Sequence, residues 1–154
     1  MQLCPRALLD SIGPPAMPDH NPRTTRILIA ADAPLEALAL EDMLRAAGHR
    51  HVRVTSDARE ILPFLKKWPY GLLVLDMNVR PLNSFAVLEH LADPIRQRAL
   101  AVMALVDAGD EATHDRALGL GVAEVLARPF VRSDVNRQVS GALASLTAHP
   151  AWSV

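Results

Sequence analysis

RILIAADAP, residues 26–34, is a short apolar run, then a single acid, then a proline suited to the opening turn of a helix. It reads as a buried strand handing over to a helix, with Asp32 at the junction. That carboxylate is either half of a metal site or a helix cap, and the stretch alone leaves both open. Working outward, the same pattern returns at HVRVT (51–55), GLLVLD (71–76), LAVMALV (100–106) and AEVLA (123–127), each run followed by a longer amphipathic stretch. Strands alternating with helices specify an α/β fold. Helices are expected over 34–47, 57–67, 84–91, 110–120 and 133–146. In the first, Leu35, Leu38, Met43, Leu44 and Ala47 are expected to share a buried face, with Gly48 as the stop. In the second, Asp57 and Glu60 have the spacing of a capping box, and Pro63 predicts a kink or a late start.

A chain of 154 residues, half of them apolar, is long enough for one domain with a real core and short for two. Pro5, Pro14, Pro15, Pro18 and Pro22 crowd the opening segment, so residues 1–25 are expected to form a flexible arm, 26–147 the domain and 148–154 a short tail. With 16 Lys and Arg against 17 Asp and Glu and no cationic run, direct nucleic-acid binding is not expected. The only cysteine, Cys4, excludes a disulfide framework and a thiolate zinc site, in keeping with a reducing cytoplasm. The opening residues lack a cationic start, and no apolar run approaches the roughly 20 residues that cross a bilayer. A cytoplasmic protein with no membrane partner is therefore expected.

In sheets of this class, ligands gather beyond the carboxyl ends of the strands, where the strand order reverses. The residues closing the strands there are Asp32, Asp76, Asp107 and Arg128. Two or three carboxylates with a fixed cation make a small charged pocket suited to Mg²⁺ and a phosphoryl group. An enzyme on such a scaffold finds no support. The glycines of GLG (119–121) follow a helix and precede a strand, the reverse of a dinucleotide loop. No Ser-His-Asp spacing is present. His49 and His51 read as solvated turn residues, and His90 and His114 as surface residues.

Taken together, LLVLDMN (72–78), NSFAVLEHL (83–91) and ALGLGVAEVLARPF (117–130) resemble the receiver domain of bacterial two-component response regulators, over about residues 26–146. The resemblance implies a flavodoxin-like fold, a five-stranded parallel sheet of order 2-1-3-4-5 with helices on both faces. It implies Asp76 as phosphoacceptor, Arg128 in the place of the pocket's basic residue, and weakly bound Mg²⁺ held by Asp32, Asp76 and the Asn78 carbonyl. The expected partners are a sensor histidine kinase or phosphotransfer protein upstream, and a downstream protein on the face of the fourth helix, fifth strand and fifth helix. A second copy of the chain is a further partner left open. With only eight residues after Leu146, a stand-alone, non-enzymatic receiver is expected.

The chain departs from the family's pattern at several points. Ala31 stands where the first of two adjacent acids is usual, which leaves Asp32 alone; an outer-shell partner is worth roughly 10- to 100-fold in metal affinity. Val106 replaces the hydroxyl that would hold a phosphoryl oxygen, and Val125 the switch aromatic. Arg128 replaces lysine, Arg80 stands where proline is usual with Pro81 after it, Ser84 replaces glycine, and Asp107 adds a negative charge. Arg80 is placed to reach Asp76 or Asp32, and Asp107 either supplies a carboxylate or faces solvent. These departures sustain a second reading, a pseudo-receiver that presents its surface without a phosphate signal.

Overall fold

The computed structural model describes residues 24–146. Apart from Thr24 and Thr25, the expected arm lies outside the described residues, as does the tail. The chain runs through β1 (Arg26–Ala30), α1 (Pro34–Ala46), β2 (His51–Thr55), a 3₁₀ turn (Ala58–Glu60), α2 (Ile61–Lys67) and β3 (Tyr70–Asp76). It continues through α3 (Ser84–His90), α4 (Ala92–Arg96), β4 (Ala101–Val106), α5 (Glu111–Gly119), β5 (Glu124–Ala127) and α6 (Arg132–Ala144). The fourth and fifth helices expected from sequence are thus α5 and α6.

All neighbouring strands pair in parallel, in the order β2-β1-β3-β4-β5. Parallel strands are covered on both faces, which is why their sequences are apolar without alternation; all six residues of β4 are buried. Ile27, Ile29, Leu72, Val74, Met103 and Leu105 pack with Leu40 and Leu44 of α1 and Val135 and Val139 of α6. On the other face Leu28, Leu73, Leu75 and Val102 meet Ile61 and Leu65 of α2, Leu88 of α3 and Ala117 of α5. From β1 the chain moves to one side of the sheet and from β3 to the other. Their carboxyl ends therefore flank the crevice where Asp32 and Asp76 sit.

Two expectations need correction, while the late start expected of the second helix is found. The buried face of α1 is Ala37, Leu40 and Leu44, whereas Leu35 is 81% and Leu38 52% exposed. Small Ala37 lets the helix approach the sheet closely, and this fixes the rotation of α1 so that Leu35 and Leu38 point outward. The capping box does not form. Asp57 accepts from the Arg59 N–H at 2.9 Å, while Glu60 accepts the Thr55 hydroxyl instead. Helix α2 starts late, at Ile61, which makes Pro63 its third residue. Nitrogens of the first turn have no intrahelical partner, so proline forfeits nothing there. The same reason admits Pro94 as third residue of α4, a helix that sequence did not foresee.

His49 is also corrected: it is 7% exposed in the turn before β2, and its Nδ1 has no partner. Burial holds its pKa below the ordinary 6.5. The unfolded chain therefore takes the proton more readily than the native one. The neutral ring's contribution is complete above the unfolded value and is lost as pH falls below it. The melting temperature should drop between about pH 7.5 and pH 5.5, with a slope of at most ~1.4 kcal/mol per pH unit from this group. A His49→Gln variant should show a flatter profile in thermal melts; an unchanged profile would assign the dependence elsewhere.

Candidate functional site

Asp76 ends β3 at 1% exposure, in register with Leu105 of β4. Its position is fixed by the main chain. The Asn78 N–H donates to its Oδ1 at 2.9 Å, the Asp32 N–H to its Oδ2 at 3.2 Å, and the Ser84 hydroxyl to its main-chain carbonyl at 3.0 Å. Ser84, where glycine is usual, is 2% exposed and uses its hydroxyl to tie the start of α3 to the end of β3.

Arg128 is the centre of charge. Its N–H donates to the Val106 carbonyl at 2.9 Å, which anchors it to the end of β4. The guanidinium then meets carboxylates from three directions. Nε and Nη2 each donate to Glu36 of α1 at 2.8 Å, Nη1 donates to Asp107 at 3.1 Å, and Nη2 also lies 2.9 Å from Asp76 Oδ1. The hydrogen bonds to Glu36 do most to hold its pKa above the usual arginine value; burial opposes them, and the bond to Asp76 and the charges of both acids add to the rise. An ammonium is a point charge; a planar fork satisfies several acids at once, so the change from lysine alters the geometry of the site.

Sequence placed Asp32, Asp76, Asp107 and Arg128 at this edge, and the structure brings all four together. Asp32 is not a cap: the N-cap of α1 is Ala33, without a side-chain bond, and the Asp32 carboxylate instead meets Arg80 Nη2 at 3.3 Å. Asp107 is 58% exposed, yet it accepts from Arg128 and, at 3.2 Å, from the Asn78 amide. It belongs to the site while facing solvent. Glu36 was missed, because an acid in the first turn of a helix is explained by the helix dipole alone. Ala31 and Val106 are fully buried apolar residues, and Val125 packs against the α2–α5 side of the core.

The donor set for Mg²⁺ is two carboxylates and a main-chain carbonyl, which matches the share such an ion usually takes from protein. Both carboxylates already touch a guanidinium, and no group of three or more His, Cys, Asp or Glu side chains converges as a metal cluster among the described residues. The residues would fit the ion once Arg80 leaves Asp32 and Asp76 is shared between Arg128 and the metal. The Arg80–Asp32 pair is exposed, so its loss costs at most about 1 kcal/mol.

Comparison with known proteins agrees with this fold. The response regulator receiver domain model matches residues 27–140. A probable chemotaxis protein CheY from Rhizobium etli is 24% identical over 121 residues, covering 79% of this chain and 94% of that protein. A putative response regulator from Chloroflexus aurantiacus has a TM-score of 0.73 at 24% identity, over 79% of this chain and 99% of that one. The chemotaxis response regulator CheY4 of Vibrio cholerae has a TM-score of 0.68 at 16% identity, over 77% of this chain and 98% of that one. At such identities the structures speak for the fold, whereas the family pattern runs from Ile27 into α6 and takes in Asp76 and Arg128: the chain belongs to the response regulator receiver domain family.

Proposed function

We propose that this chain is a cytoplasmic receiver that takes a phosphoryl group on Asp76 from a histidine kinase or phosphotransfer protein and acts through a downstream protein, without turning over a released substrate. One observation carries the reading. Asp76 is the buried carboxylate at the crevice, and a guanidinium lies 2.9 Å from its Oδ1. Oδ1 is held by Arg128 and the Asn78 N–H, while Oδ2 has only the Asp32 N–H at 3.2 Å. Oδ2 is therefore the freer nucleophile. Its attack on the phosphorus of a phosphohistidine forms a P–O bond as the P–N bond breaks, and the imidazole nitrogen leaves with the electron pair. Arg128 and the main-chain N–H groups supply positioning and charge, which is most of what phosphoryl transfer needs. Mg²⁺ held by Asp32, Asp76 and the Asn78 carbonyl would offset charge on the transferring oxygens.

Incubation with a small phosphodonor and Mg²⁺, read by intact mass, should show one phosphoryl adduct that Asp76→Ala abolishes. No adduct at any Mg²⁺ concentration would favour the pseudo-receiver. That reading draws on a specific feature: Arg128 is charge-satisfied before any phosphoryl group arrives.

Arg80 bears on the metal. Removing its charge by Arg80→Ala should tighten Mg²⁺ by roughly 2- to 5-fold, the equivalent of a surface pair worth about 0.5–1 kcal/mol. The measurement is a Mg²⁺ titration followed by amide shifts. Unchanged affinity would mean that the Arg80–Asp32 pair does not compete with the ion.

A further inference from the structure

At the opposite end of the sheet from Asp76, the strands begin rather than end, and another charge cluster forms there. The parallel register sets Arg26 of β1 beside His51 of β2 and Tyr70 of β3. Arg53 follows His51 on the same face of β2, one side-chain period further on. The register shifts between Arg26 and Ile27, and Tyr70 packs with Leu28, Leu73 and Leu75 on the α2 face. Arg26, Arg50, His51, Arg53 and Tyr70 thus line one open cavity of about 200 Å³.

The chemistry of the lining is one-sided. Arg45, Arg59, Arg80, Arg96, Arg128 and Arg137 each have a carboxylate partner. Arg26, Arg50 and Arg53 have none among the described residues. Two of the three are held in place by rings. Arg53 lies over Phe64 at 5.1 Å and Arg26 over Trp68 at 4.9 Å, cation–π contacts that hold each charge beside a ring and not beside a carboxylate. Tyr70 is 3% exposed, and burial raises the pKa of its phenol, so the hydroxyl keeps its proton as a donor at the floor of the cleft. The carbonyl oxygens at this edge are already engaged: Arg45 donates to that of Arg50 at 3.2 Å and to that of Val52 at 3.0 Å.

What remains is a cleft rich in donors and like charges, with no carboxylate in its lining. Its complement is a ligand made of acceptors. We propose that this cleft is an anion site for the phosphate or diphosphate group of a small ligand. The size supports a group rather than a whole molecule, since cavities that enclose complete drug-sized ligands run to about 300–1,000 Å³. Bidentate arginine forks suit tetrahedral oxyanions and discriminate them from chloride. The site lies at the far end of the sheet from Asp76 and does not depend on the phosphorylation reading.

The test is a titration of the full chain with sodium pyrophosphate at constant ionic strength, read by calorimetry and by amide shifts. Saturable binding should move residues 26, 50–53 and 70 and leave 76–81 in place. Arg26→Gln and Arg53→Gln should each weaken it about tenfold, the loss of one charge-assisted bidentate contact. Both side chains reach solvent, and a thermal melt checks that the variants stay folded. ADP binding more tightly than pyrophosphate would assign the group to a nucleotide, whereas equal affinity would assign it to the free anion; either supports the site. Failure to saturate, an equal response to added chloride, or undiminished binding by the double variant would overturn it. So would binding of a single-stranded oligonucleotide or an anionic vesicle through these arginines with no response to pyrophosphate.

Discussion

Arg128→Met is expected to lower the stability of the fold by about 3 kcal/mol, the low end of what removing one partner of a buried ion pair costs. On a domain of this size that is a fall in melting temperature of roughly 10 °C. The reason is the group left behind. Asp76 is 1% exposed, and without the guanidinium only two main-chain N–H groups face its carboxylate, at 2.9 and 3.2 Å. Methionine keeps most of the aliphatic stem, while the charge goes, and with it the guanidinium's contact 5.5 Å over the Phe130 ring. The low end applies because the guanidinium is itself 22% exposed and water reaches part of the cluster. A double-mutant cycle isolates the cause. Adding Asp76→Asn to Arg128→Met removes the stranded charge and should restore most of the loss. A double variant as unstable as the single one would place the cost in packing, or in the acids Glu36 and Asp107. Arg128→Lys should fall between, since one ammonium can face Asp76 but cannot also span both other carboxylates.

The same cluster shows where sequence reading ends. The strands were legible because a parallel sheet buried on both faces leaves short continuous apolar runs, and the acid closing the central run marks the crevice whatever the family. Ala31 and Val106 could be recognised as lost functional groups only through the resemblance to the receiver pattern, which carries an acid and a hydroxyl at those strand ends. The rotation of α1 was not legible. Leu35 and Leu38 are apolar and correctly spaced, yet the helix turns on Ala37, and apolar identity does not by itself specify burial. Once that rotation is set, Glu36 meets Arg128, 92 residues further along the chain. The available signal was an acid at the third helical position beside the strand edge, which an ordinary preference for acids in the first turn explains equally well. Asp107 was read as a choice between site and solvent. The structure satisfies both, because a carboxylate at the rim can hold an arginine with one oxygen and face water with the rest of the group.

Glu36 carries the second large effect. A phosphoryl group brings about −1.5 to −2 charges and three acceptor oxygens to Asp76, next to a guanidinium already shared among three acids. Two of the five arginine donors are committed to Glu36 at 2.8 Å, and Nη2 divides between Glu36 and Asp76. A group on Asp76 must therefore compete with Glu36 for Arg128. Glu36→Gln removes the competing charge, and a charge-assisted pair of this kind is worth about 1.5–3 kcal/mol. Beryllofluoride, a mimic of the phosphoryl group, should bind the variant roughly 10- to 100-fold more tightly than the parent. In the parent, the exchange should appear where Arg128 lets go, in amide shifts at residues 33–37 and 107–110, with the pocket residues 76–81. Little should change over 112–125, because Val106 and Val125 give the incoming oxygens no hydrogen-bond donor, and a ligand without differential contacts shifts no equilibrium. Equal or weaker beryllofluoride affinity in Glu36→Gln would mean that Glu36 positions the guanidinium for Asp76 instead of withholding it. Large shifts along α5 would mean that Arg128 transmits to the α5 surface after all, through Asp107 at the loop that opens that helix.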